Sequence, residues 1–130
     1  MILQMVILTP LIHTATRTIH RLIHILDQPP MEIGDGPIGV ILSPTRELAA
    51  QIYMEAKKFG KVFNIRVCAI FGGSGKWEMT KALKEAPEIV VATPGRFIEL
   101  IRSKATNLQR CTMVVLDEVC VCVCVCLYIP

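Results

Sequence analysis

The feature that most constrains this chain is a punctuated series of short apolar runs. Val40-Ile41-Leu42 stops at Ser43-Pro44, residues 65–71 end in Gly72-Gly73, residues 88–92 end in Thr93-Pro94, and residues 113–116 end in Asp117-Glu118. Between the runs the pattern becomes helical. Leu48, Ile52, Ala56 and Phe59 recur on one helical face after Thr45, which predicts an amphipathic helix with Thr45 as N-cap and Gly60 as its stop. Residues 76–86 predict a second helix through Trp77, Met79 or Thr80, and Leu83. Thr93 as N-cap and Pro94 at the first helical position predict a third, with Phe97, Ile98 and Ile101 as its apolar face. Strands alternating with helices of this length imply crossover connections. The expected class is therefore α/β, a mostly parallel sheet covered on both faces.

That architecture has a functional corollary, because open α/β sheets bind ligands beyond the carboxyl ends of their strands. The special residues all fall at that edge. A helix N-terminus offers unpaired N–H groups and the positive end of a dipole, and Arg46 and Arg96 each add a guanidinium to such a terminus. Gly72-Gly73 lets a backbone approach closely. The combination predicts a phosphate-handling edge. The competing reading is an ordinary strand-to-helix turn in which Arg46 pairs with a neighbouring carboxylate.

These residues resemble the first RecA-like domain of the DEAD-box RNA helicases. Pro44-Thr45-Arg46-Glu47-Leu48-Ala49 is similar to motif Ia, Gly72-Gly73 to the GG motif, Thr93-Pro94-Gly95-Arg96 to motif Ib, and Asp117-Glu118 to the first half of motif II, in the family's order. The resemblance spans residues 22–118. It suggests three segments, with an atypical stretch at 1–21, a partial RecA-like (P-loop NTPase type) domain at 22–118 and a low-complexity tail at 119–130. Asp27-Gln28, Gly34-Asp35-Gly36-Pro37-Ile38 and residues 104–110 look most like the splicing-associated subfamily linked to the U2 snRNP.

The resemblance implies RNA as partner, with Pro44, Thr45, Arg46, Glu47, Gly72, Gly73, Thr93, Pro94, Gly95 and Arg96 gripping the sugar-phosphate backbone. Phosphate contacts position a strand without reading its bases, so binding is expected to be sequence-independent and salt-sensitive. The resemblance also implies ATP and Mg, with Asp117 holding the metal through water and Glu118 polarising the attacking water when a nucleotide is present. Spliceosomal proteins are implied as further partners, and a nuclear rather than cytoplasmic location.

Two departures bear on activity. A nucleotide-hydrolysing RecA-like domain needs Gly-x-x-x-x-Gly-Lys-Ser/Thr after a strand, and nothing before Pro44 provides it. Gly72-Gly73-Ser74-Gly75-Lys76 is out of register for the role, with Ile70 at the first glycine position and Trp77 where Ser or Thr must reach the metal. Motif II also breaks off, since Val119 and Cys120 follow where the family has Ala-Asp. Asp117 and Glu118 are thus expected to be vestigial in this chain.

Composition narrows the rest. With 130 residues, 52% of them apolar, the chain can bury one small core, and a net charge of +3 is too small to argue for nucleic acid by itself. Aromatic residues make up 5%, which leaves little material for stacking bases. Pro10 interrupts the apolar start well short of the roughly 20 residues of a membrane span, and a secretory signal would want a basic start, so a membrane is not expected as partner. His20 and His24 would share a helical face, but histidine pairs on surface helices are common. Residues 16–26 read better as the tail of a helix with Ile19, Leu22, Ile23 and Leu26 inward, followed by a Pro- and Gly-rich loop.

From Val119 the chain alternates Val and Cys, which places Cys120, Cys122, Cys124 and Cys126 on one side of any extended strand. Thiolates favour zinc or copper(I), yet this spacing does not arrange four sulfurs around one ion. An in-frame GT dinucleotide repeat encodes the same pattern and is the plainer account. Three readings follow: part of an ATP-dependent RNA helicase inactive alone, a non-catalytic RNA or partner binder, and the product of an incomplete coding sequence that folds marginally.

Overall fold

The computed structural model describes residues 4–8, 22–73 and 75–117. Ile19, His20, Ser74, Glu118 and the Val-Cys tail, on all of which the sequence raised expectations, lie outside the described residues. Five strands form one parallel sheet: β1 (Gln4–Leu8), β2 (Gly39–Leu42), β3 (Val67–Ile70), β4 (Ile89–Ala92) and β5 (Met113–Asp117), in the order β1-β5-β2-β4-β3. Helix α1 covers residues 22–26, followed by α2 (Arg46–Val62), α3 (Lys76–Lys84) and α4 (Pro94–Arg102). The four expected strands are present, three of them shifted at one end by a single residue and β3 shorter than its apolar run by three. β1 is an addition that the sequence did not announce.

The strand order follows from crossover handedness. The step from β2 to β3 moves outward past β4, whereas the steps from β3 to β4 and from β4 to β5 move back. Right-handed crossovers in opposite directions must place their helices on opposite faces. Accordingly α2 packs on one face with Ile41, Val91 and Val115, while α3 and α4 pack on the other with Val40, Leu42, Val90 and Ala92. β2 and β4 are buried along their whole length, as central strands of a doubly covered sheet must be. β3 alternates between buried and half-buried, as an edge strand does.

Three helical phases differ from expectation. In α1, Leu22 and Ile25 are buried while Ile23 and Leu26 stand about half exposed, at 47% and 48%; the helix is rotated so that Ile25 replaces its two apolar neighbours. His24 is held within hydrogen-bond distance of the Thr112 hydroxyl, 2.8 Å away. In α3, Met79 and Leu83 face the core, which leaves Trp77 outside. In α4, Phe97 and Leu100 are the buried pair, with Ile101 against them and Ile98 half-buried.

Gly60 does not end α2. The helix continues to Val62, and the Gly60 carbonyl accepts from the N–H groups of Phe63 at 3.2 Å and Ile65 at 2.8 Å. A methyl group there would meet the Ile65 carbonyl oxygen at 2.8 Å, so the glycine serves the chain reversal into β3.

At the amino edge of the sheet, two loops that the sequence marked separately are clamped together. Arg110 donates to the carbonyls of Pro29 at 2.6 Å and Pro30 at 2.9 Å and to the Asp35 carboxylate at 2.7 Å. Asn107 donates to the Gly34 carbonyl at 3.3 Å. The Glu32 N–H, first, and the Arg110 guanidinium hold the Asp35 carboxyl below its ordinary value of 3.8. A carboxylate whose pKa is lowered in the folded state stabilises above its unfolded pKa, and that contribution disappears as pH falls through the lower folded value. The clamp is therefore expected to be intact at neutral pH and to loosen only below about pH 4. The protection of the Glu32 amide, relative to its intrinsic exchange rate at each pH, should fall there, and Asp35→Asn should remove that pH dependence.

Candidate nucleic-acid interface

The carboxyl edge is assembled from the ends of four strands. Leu42 pairs with Ala92 on one side and Leu116 on the other, and Ala92 pairs with Ile70. Ser43, Thr93, Phe71 and Asp117 thus come one step past the same row. Every described site residue proposed from the sequence leaves the sheet at this edge. The order along it is Asp117, then Pro44 to Glu47, then Thr93 to Arg96, then Gly72-Gly73.

α2 starts here because Thr45, in extended backbone, accepts from the Leu48 N–H at 3.3 Å. Arg46 in its first turn is exposed and makes no ion pair among the described residues. Its guanidinium instead lies along the glycine turn after β3. A methyl group on Gly72 would be 3.4 Å from Arg46 Cδ, and one on Gly73 would be 2.7 Å from Arg46 Nη2. Gly73 has φ 118, a conformation glycine adopts without penalty. β4 lies between β2 and β3, so Arg46 arches over the end of β4 to reach that turn. The competing reading, Arg46 tied to a neighbouring carboxylate, does not describe this arrangement.

α4 starts differently. Thr93 occupies the N-cap position and Pro94 the first turn, but the Thr93 side chain makes no capping hydrogen bond. The sequence expectation of a hydroxyl cap is corrected: the position is right and the bond is absent. A methyl group on Gly95 would meet nothing within 4 Å, so the backbone of this turn faces open space. Arg96 donates to Glu99 at 2.7 Å, and Lys76 in the first turn of α3 reaches the other Glu99 oxygen at 3.5 Å. All three side chains are a third to a half exposed. Exposed pairs of this kind are worth at most about 1 kcal/mol, so an incoming phosphate can compete for both cations.

Two features of the edge were not singled out by the sequence. Ser43, read only as a strand stop, is fully buried, and its hydroxyl has no hydrogen-bond partner among the described residues. A buried orphan hydroxyl is uncommon and costs stability; here it sits beside the strand that ends in Asp117. Lys76 is the second, joining the basic set only through the Glu99 bridge. Cys68 and Cys111 play no part in the edge: burial pushes each thiol up to about 11, which leaves them protonated and unreactive at neutral pH.

The fit to a magnesium nucleotide is poor. Asp117 closes β5, level with Leu8 of β1. The sequence nevertheless contains no Gly-x-x-x-x-Gly-Lys-Ser/Thr to hold the phosphates.

The model of the DEAD/DEAH box helicase family matches residues 5–121. The chain belongs to this family. Its family relatives include the ATP-dependent RNA helicase DDX42 of Gallus gallus, 59% identical over 75% of this chain and 10% of that protein, and DDX42 of Homo sapiens, 58% identical over the same shares. The DEAD-box ATP-dependent RNA helicase 24 of Oryza sativa subsp. japonica is 53% identical over 81% of this chain and 14% of its own length. The crystal structure of the yeast DEAD-box splicing factor Prp28 superposes with a TM-score of 0.76 at 34% identity, covering 90% of this chain and 28% of the Prp28 chain. The chain thus spans about a tenth of the length of these DDX42 relatives, and its fold is that of part of a DEAD-box RecA-like domain. Among the described residues no helix is long and apolar enough to cross a membrane.

Proposed function

We propose that this chain carries the RNA-backbone-binding edge of a DEAD-box RecA-like domain, in which Pro44 to Glu47, Gly72-Gly73 and Thr93 to Arg96 act as motifs Ia, GG and Ib. The observation that carries this reading is the arch of Arg46 across the end of β4 onto the glycine turn, which draws three sequence-distant segments into one basic surface. Exposed guanidinium, open backbone at Gly95 and the N-terminus of α2 suit phosphates spaced along a strand. Base edges are not read by such contacts, so recognition is independent of sequence.

Asp117 and Glu118 are the remnant of a hydrolysis pair that this polypeptide does not complete, since the phosphate cradle is missing from its sequence. The relatives are ATP-dependent RNA helicases by name; here ATP and Mg are not expected to be held productively. The likeness to a splicing factor supports a nuclear setting among spliceosomal proteins.

Fluorescence anisotropy with a labelled single-stranded RNA tests the reading. If about three phosphates are engaged, affinity should fall with salt at a log–log slope near −2. ATP turnover should be absent with or without RNA. Failure to bind RNA at low salt, or turnover abolished by Asp117→Asn, would overturn it.

A further inference from the structure

The only tryptophan of the chain is Trp77, and 73% of its surface is exposed. A large aromatic side chain left in water is unusual, since it forgoes a hydrophobic gain its size makes considerable. Its position is informative. Trp77 lies in the first turn of α3, directly after the glycine turn against which Arg46 rests. Its neighbour Lys76 is tied through Glu99 to Arg96. Lys81, one turn further on, holds its ammonium 5.6 Å from the ring centroid. The indole thus has Lys81 against its ring and stands in the first turn of a helix that begins at the basic edge. With Lys81 over the ring and most of the indole still in solvent, a broad aromatic surface remains uncovered.

We propose that Trp77 is a stacking platform for one base of the RNA strand held by this edge. The inference rests on the backbone-gripping reading and extends it: the phosphates are held by Arg46 and Arg96, and a base at the border of the site lies on the indole. Stacking on an aromatic face is sequence-tolerant, because every base has a π-face. It therefore adds affinity without specificity. It also separates nucleic acid from other polyanions, which phosphate contacts alone do not. The basic surroundings favour an RNA strand over an apolar protein partner at this place.

The 130-residue chain offers a direct test, because all its tryptophan emission comes from Trp77. Titration with a single-stranded oligouridine or oligoadenosine should quench that emission along the binding curve seen by anisotropy. Inorganic polyphosphate, which has no bases, should bind at low salt and leave the emission unchanged. Trp77→Ala should weaken RNA binding about tenfold and leave polyphosphate binding unaltered, whereas Trp77→Phe should retain most of the affinity. Saturable RNA binding with unchanged emission, equal quenching by polyphosphate, or Trp77→Ala binding RNA as the parent does would each overturn the stacking. No RNA binding at all would overturn both proposals. Quenching that survives Arg46→Ala plus Arg96→Ala undiminished would support the stack and remove the backbone-gripping reading.

Discussion

Replacing Arg46 and Arg96 together by alanine is expected to weaken single-stranded RNA binding roughly 50-fold at moderate salt and to flatten the log–log salt slope by about 1.4, near 0.7 per lost phosphate contact on a single strand. The two residues should contribute unequally. Arg46 makes no ion pair among the described residues and rests on glycine backbone, so its whole charge is available to a ligand. Its loss alone should account for about a tenfold effect. Arg96 must first leave Glu99 at 2.7 Å, and a group already partly neutralised gains less from a phosphate. About threefold to fivefold is expected for it. The loss should be the same for every RNA sequence tested, which anisotropy titrations at several salt concentrations will show. An Arg96 effect larger than that of Arg46 would mean that the Glu99 pair does not persist in solution.

The largest effect on stability is expected at the other edge of the sheet. A methyl group placed on Gly36 would fall into the backbone carbonyl of Asn107, with the Asn107 side chain also within 2.8 Å. Backbone cannot step aside as a flexible side chain can. Gly36→Ala should therefore part the two loops and cost about 2–3 kcal/mol, lowering the melting temperature by roughly 10 °C. Gly34→Ala is the informative comparison. There φ is 97 but nothing lies within 4 Å, so only backbone strain is added, about 1 kcal/mol. Thermal melts followed by circular dichroism will rank the two. Neither should change RNA affinity per folded molecule, because both sit at the amino ends of the strands while the basic surface lies at the carboxyl ends. A drop in affinity for Gly36→Ala at temperatures where it is folded would show that the edges are coupled.

What the sequence made legible was the part governed by local pattern. Apolar runs punctuated by Ser-Pro, Gly-Gly and Thr-Pro located β2, β3 and β4, and the residues after them located the edge, because a parallel sheet obliges all such turns to emerge on one side. Phase was less legible. Trp77, Met79 and Thr80 compete for one helical face, and hydropathy alone favours burying the largest ring; the four-residue spacing of Met79 and Leu83 decides otherwise. The same ambiguity among Leu22, Ile23, Ile25 and Leu26 was resolved only by what α1 packs against. β1 could not be read, since a parallel partner more than a hundred residues away leaves no mark in local sequence. Nor could the Glu99 bridge, which joins two helices through side chains alone.

The reach of Arg46 has one more consequence. β2, β3 and β4 are four-residue segments of similar aliphatic makeup, the sort that can pair out of step with little local protest. A slip of one position would displace the glycine turn by about 3.3 Å along the strand axis and turn its neighbours to the opposite side. The guanidinium would then lose its footing. Misaligned forms of this sheet are therefore expected to keep their helices while losing the close approach of Arg46 to the glycine turn.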